Sequence, residues 1–180
     1  MESILSNELE TLEIKKIEAE KAIKYYVAGA TATGAIPIPV ADATILMAGQ
    51  IKMILHILKI YGIKETMTKE TLYSLFLQRI VTQGGKYLSK YLARKLTFVA
   101  GAAINASVAG AVTYTLGKGI SEAAYTIRKK TLLGDKDIEK FENIKKIIDN
   151  VIEKSFVSFG DLGEVILEKV VLKKKKIKVR

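Results

Sequence analysis

Both prolines of the chain fall in one tetrapeptide, Ile36-Pro37-Ile38-Pro39. Proline fixes its own φ, lacks a backbone N–H and disfavours helix at the residue before it. A helix reaching this point from the N-terminal side therefore ends near Ala35. Pro39 suits the first turn of the next helix, where its missing N–H has no intrahelical partner to lose. The stretch from Tyr25 to Ile63, YYVAGATATGAIPIPVADATILMAGQIKMILHILKIYGI, thus reads as two helices folded back on each other about a corner. Turn tips are normally polar, whereas Ile36, Ile38 and Val40 place branched aliphatics here. Either other helices cover the tip, or it is an exposed wedge for a bilayer or a partner's groove.

The apolar residues on both sides recur with helical spacing. Leu5, Leu9, Leu12, Ala19, Ile23 and Tyr26 form a stripe at intervals of three and four, interrupted by Lys16, and the remaining positions are mostly Glu and Lys. This stripe either packs on the chain's own core or meets a coiled-coil partner. Beyond the corner, Asp42, Leu46, Gly49, Met53, Ile57 and Ile60 repeat in the same way, with Gln50 on the flank and Lys52, His56 and Lys59 as a polar stripe. Tyr61-Gly62 is a helix stop, with Gly62 in the left-handed region.

Further on, Thr68 is an N-cap for a short helix carrying Leu72, Leu75, Phe76, Arg79 and Ile80. Lys86 to Lys95 is a basic amphipathic segment with Tyr87 and Tyr91. Leu96 to Gly117 has no formal charge, and its length permits a membrane span. Its Ala/Gly/Ser/Thr composition instead suits a buried helix whose Ala102, Ala106, Ala109, Gly110 and Thr113 pack against the small residues of 28–35. Leu133-Gly134-Asp135 ends that helix. Asp135 or Asp137 then caps an amphipathic helix bearing Ile138, Phe141, Ile144, Ile148, Val151 and Ile152. With 180 residues, 49% of them apolar, the expectation is one all-α domain over 1–180. It is a compact bundle of about six helices around the proline-cornered hairpin, with a C-terminal amphipathic helix and polybasic tail over 136–180.

Charge and composition narrow the chemistry. Residues 1–62 hold six Lys and seven Asp/Glu, a net of −1, whereas 63–180 hold 23 Lys/Arg and 12 Asp/Glu, a net of +11. The surplus peaks in the final KKKKIKVR, where Lys173, Lys174, Lys175, Lys176, Lys178 and Arg180 would attract anionic lipid, an acidic protein or nucleic acid. Nucleic acid has the least support, because no RNA motif, zinc pair or recognition helix accompanies Tyr87 and Tyr91 among Lys86, Lys90, Arg94 and Lys95. The absence of cysteine excludes disulfides and thiolate sites and fits a cytoplasmic setting. The N-terminus, with Glu2, Glu8 and Glu10, does not read as a secretory signal.

No catalytic, cofactor or metal constellation emerges. Gly29 to Gly34 has P-loop glycine spacing, but Ala35 and Ile36 follow in place of Lys and Ser/Thr, so the phosphate and magnesium contacts are lacking. His56, the one histidine, has no neighbouring ligand in sequence. Asp42 is the sole acid between Glu20 and Glu65. It reads as a structural polar residue that caps the second helix and hydrogen-bonds across the hairpin to Gln50, Thr31 or Asn105, or else as a buried polar site for a partner or ion.

The small-residue run, Ile36-Pro37-Ile38-Pro39, Ala41-Asp42, Gln50, Met53, Ile57 and Tyr61-Gly62, followed by Gly101, Gly110, Thr113-Tyr114 and Gly117, resembles domain-of-unknown-function family 697. That family includes the YcjF-type proteins and is often appended to Era-like small GTPases. The resemblance covers roughly residues 20–130 and implies a helical module associated with GTPases and often with membranes. No GTPase domain precedes the module here, so a GTPase would act in trans.

These readings lead to a non-enzymatic membrane-associated or GTPase-partner module at the inner face of a membrane. Ile36, Pro37, Ile38, Pro39 and Val40 would make apolar contact, and the basic tail would meet an anionic surface. A soluble protein that binds an acidic partner is the alternative.

Overall fold

The computed structural model describes residues 2–34, 39–63, 67–78 and 100–155, and within these not the side chains of 2–4, 39–44, 100–105 and 108. The described chain is all-α. Its helices are α1 (Glu2–Gly34), α2 (Pro39–Ile60), α3 (69–78), α4 (Ala100–Leu132) and α5 (141–155), with a 3₁₀ turn over Lys136–Glu139 before α5. The described part of α1 runs to Gly34 and that of α2 from Pro39, and the residues between them, 35–38, lie outside the described chain.

Glycine ends two of the helices for the same backbone reason. Gly62 (φ 70°) and Gly134 (φ 101°) occupy the left-handed region that a Cβ disfavours. In each case two reversed hydrogen bonds satisfy the last carbonyls, Gly62 N to Lys59 O with Ile63 N to Leu58 O, and Gly134 N to Thr131 O with Asp135 N to Lys130 O. Both are Schellman caps. At the start of α3, Thr68 Oγ1 accepts the Thr71 N–H at 3.2 Å, as an N-cap should.

The cap before α5 differs from expectation. The Asp135 carboxylate accepts the Ile138 N–H at 3.3 Å, so it caps the 3₁₀ turn and not α5 itself. α5 begins after Lys140, whose carbonyl receives the N–H groups of Asn143 and Ile144. The extra turn displaces Phe141 from the core face. It is partly exposed, with Lys145 Nζ 5.9 Å from its ring centroid.

One core joins all five helices. α1 supplies Leu12, Ala19 and Ile23; α2 supplies Ile54, Ile57 and Tyr61; α3 gives Leu72 and Phe76; α4 gives Leu116, Ile120 and Ile127; and α5 gives Ile144, Ile148 and Ile152. Among α1, α2 and α4 the most extensive pairing is α1 on α4, ahead of α1 on α2. Small residues make that approach possible. A Cβ on Gly110 would stand 2.5 Å from Thr31 Oγ1, and one on Gly117 2.9 Å from Ile23 Cγ1. Ala30, Gly34 and Ala109 are buried at the same seam, so the Ala/Gly-rich face of α4 does meet the 28–34 face of α1. Among the described residues no helix is long and apolar enough to cross a membrane. The first four residues of the uncharged run, 96–99, lie outside them, as do Arg79, Ile80 and the Lys86–Lys95 segment.

Two buried polar contacts set the register of α2 against α4. Gln50 Nε2 donates to Thr113 Oγ1 at 3.2 Å, and the Tyr61 and Ser121 hydroxyls lie 3.0 Å apart. A buried polar group without a partner costs about 1–3 kcal/mol, so each contact disfavours sliding of one helix past the other. Burial pushes the Tyr61 phenol above its ordinary 10.0, against the opposing effect of the Ser121 hydrogen bond. Tyr26 is raised chiefly by burial, and Tyr125 chiefly by its hydrogen bond to Glu13.

The stability carried by these raised groups is fully present below their unfolded pKa and is lost as pH rises through the folded one. We therefore expect the thermal midpoint to be flat through neutral pH and to fall above about pH 10. A Tyr61→Phe variant should show a shallower alkaline fall. An identical alkaline slope in wild type and variant would contradict the assignment to Tyr61.

Candidate functional site

The corner end of the α1–α2 hairpin carries a cleft of about 310 Å³. Its α1 wall includes Tyr25, Tyr26 and Gly29, its α2 wall Ile45 and Gly49, and Gln50 and Thr113 meet at its floor. The glycines create the space. Among the described residues, a Cβ built on Gly29 or Gly49 meets nothing within 4 Å, in contrast to Gly110 and Gly117. Each therefore gives up helix propensity, about 1 kcal/mol relative to alanine, without relieving any crowding in the fold.

The rim carries exposed apolar side chains. Tyr25 is 76% exposed and Ile45 53% exposed. Tyr25 stands edge-on to Tyr26, with ring centroids 5.5 Å apart, and Tyr26 stands edge-on to His56 at 6.0 Å. These rings form a ledge that leads from solvent into the cleft. Chemically the site offers aliphatic and aromatic contact around a hydrogen-bonded amide floor, which suits binding an apolar side chain or chain segment.

The sequence-predicted contact residues are only partly within view. The backbones of Pro39, Val40 and Asp42 lie in the first turns of α2, but their side chains, and all of Ile36, Pro37 and Ile38, fall outside the described residues. The same holds for Lys173, Lys174, Lys175, Lys176, Lys178 and Arg180. Gln50, expected as a structural polar residue, is buried, and its described partner is Thr113.

Two assignments from the sequence change. Gly29 was expected among the residues that admit another backbone, and Gly49 in the core stripe of α2. Neither has a described neighbour within 4 Å of its Cβ position, because Gly110 of α4 meets Val27 and Thr31, two positions to either side of Gly29, so that Gly29 lies off the face of α1 that α4 covers. His56 is exposed beside Tyr26, and among the described residues no group of three His, Cys, Asp or Glu could hold a metal ion.

A family model described as a domain of unknown function, DUF697, matches residues 5–154. The chain belongs to this family. The DUF697 match extends beyond the 20–130 stretch on which the resemblance rests, taking in most of α1 and nearly all of described α5. No curated protein and no solved structure matches the chain. The cleft walls and the α1–α4 seam therefore all lie within the DUF697 portion, whereas the basic tail lies beyond it.

Sequence reasoning did not find Tyr25, Ile45 or Thr113 as neighbours. Tyr25 and Ile45 are ordinary apolar residues of amphipathic helices until their exposure is known, and Thr113 is 63 positions from Gln50. A detectable signal was the pair of mid-helix glycines, each unfavourable in a helix interior unless something requires the space.

Proposed function

We propose that this DUF697 protein is a non-enzymatic helical module that acts at a membrane surface or on a GTPase supplied in trans, making contact through the corner end of the α1–α2 hairpin. The observation that carries this reading is the open cleft between Gly29 and Gly49, rimmed by exposed Tyr25 and Ile45. The sequence that joins the two walls of the cleft contains the aliphatic residues Ile36, Ile38 and Val40. An apolar element combined with a basic cluster is the usual two-signal arrangement for peripheral membrane attachment. Here the second signal is the tail, Lys173–Lys176, Lys178 and Arg180, which favours the cytoplasmic, anionic face. The net +11 of residues 63–180 supports a second reading, a soluble module that binds an acidic protein.

Co-sedimentation with neutral and anionic vesicles separates these. We expect binding to anionic vesicles at low salt, with part of it surviving about 0.5 M salt, where charge attraction is screened within roughly 4–5 Å. Deleting residues 173–180 should remove the salt-sensitive part and leave the rest. Failure to bind either vesicle type would overturn membrane contact and leave the protein-binding reading.

A further inference from the structure

The outward face of α1 carries an apolar patch that none of the other described helices covers. Ile14 and Ile17 are 61% and 60% exposed, and they lie between Glu10 and Lys21, both also exposed. Glu10, Ile14, Ile17 and Lys21 follow one another at intervals of four, three and four, which keeps all four on one side of an α-helix. That side is opposite the one bearing Leu12, Ala19 and Ile23, which are buried against the core. The alternation of three and four is the spacing of a coiled-coil seam.

We infer that this face is a self-association surface, on which α1 of a second copy of the chain lies antiparallel. The argument is complementarity under a two-fold axis, since a two-fold interface must match a patch to itself. If the axis crosses α1 between Lys15 and Lys16, Ile14 of each copy faces Ile17 of the other, and Glu10 of each faces Lys21 of the other. Two aliphatic layers then sit at the centre, with an opposite-charge pair on each side.

The parallel arrangement in register would instead set Glu10 against Glu10 and Lys21 against Lys21, which is repulsive. Of the acids that flank the seam, Glu13 and Glu20 are engaged by α4, whereas the exposed Glu18 lies beside the aliphatic layers and adds like charge that weakens the pairing. Glu13 accepts the Tyr125 hydroxyl at 2.7 Å, and Glu20 accepts Lys118 Nζ at 2.9 Å. Two aliphatic layers make a small interface, so the dimer is a weak one that depends on concentration. This inference is independent of what the corner end touches.

Sedimentation equilibrium of the full chain, from about 10 μM to about 1 mM, should show a reversible monomer–dimer equilibrium weakened by salt. Lys21→Glu alone, or Glu10→Lys alone, turns two attractive pairs into two repulsive ones. Each should weaken association roughly tenfold, while the double variant carrying both changes restores it. Because the chain has no cysteine, the orientation can be read by oxidation. A mixture of Ile14→Cys protein and mass-tagged Ile17→Cys protein should form mainly the mixed disulfide, in preference to either like pair. A monomer at every concentration, a dimer indifferent to charge reversal, failure of the double variant to restore association, or preferential like-pair disulfides would each overturn the inference. The substituted residues are all exposed, and an unchanged helical circular dichroism spectrum verifies that each variant folds.

Discussion

Gly117→Leu is expected to destabilise the fold by about 3 kcal/mol or more, the upper part of the usual overpacking range. A Cβ at this position would already stand 2.9 Å and 3.0 Å from the two γ-carbons of Ile23 and 3.1 Å from Met53 Sδ. Ile23 and Met53 are fully buried. Ile23 is β-branched and held to one rotamer in a helix, so it cannot swing aside. The gain in helix propensity on replacing glycine, about 1 kcal/mol, is too small to reverse the sign. Thermal unfolding followed at the helical band should show the midpoint lowered by roughly 10 °C, taking about 2–4 °C per kcal/mol for a chain of this size. An unchanged midpoint would mean that α1 and α4 do not approach as closely as Gly117 implies.

Gly49→Leu is expected to have the opposite effect on stability and a large effect on binding. No atom of the described residues lies within 4 Å of the added Cβ, and the helix-propensity gain remains. Stability should therefore be unchanged or raised by up to about 1 kcal/mol. The new side chain would occupy the cleft between Tyr25, Gly29 and Ile45. If that cleft is the contact surface, salt-resistant vesicle binding or capture of a GTPase partner should fall by at least about tenfold, as expected for losing a central apolar contact. Binding that persists at full strength in a stable Gly49→Leu protein would remove the cleft from the proposed mechanism.

The two glycines are indistinguishable as residue types inside apolar helical stretches, so sequence alone ranks them alike. Their difference comes from where α4 crosses. The same limit applies to Ile14 and Ile17. The stripe through Leu12, Ala19 and Ile23 was legible from periodicity, and the other positions read as a Glu/Lys face. Two isoleucines on that face count as isolated apolar residues in sequence, and they become a patch only once both are seen exposed together. Gln50 was legible as a polar residue bordering an apolar stripe, but its partner Thr113 was not, because long-range pairing leaves no periodic trace. The Asp135 cap was legible as a cap, whereas its service to a 3₁₀ turn depended on how Ile138 and α5 pack against α4.

What the sequence determined by itself is local and steric. Pro37 and Pro39 disfavour helix at the residues before them, Gly62 and Gly134 permit the left-handed caps, and period-3.6 apolar residues select the buried faces. Those constraints act within a few residues, so reading along the chain recovers them. The tertiary structure alone decided which small residues are filled and which are left open. Close approach of α1 to α4 covers Gly110 and Gly117, and the same crossing leaves Gly29 and Gly49 facing a cleft. A glycine's role depends on whether a neighbouring helix occupies the volume where its side chain would be, and that volume is set by the packing of residues nearly a hundred positions apart.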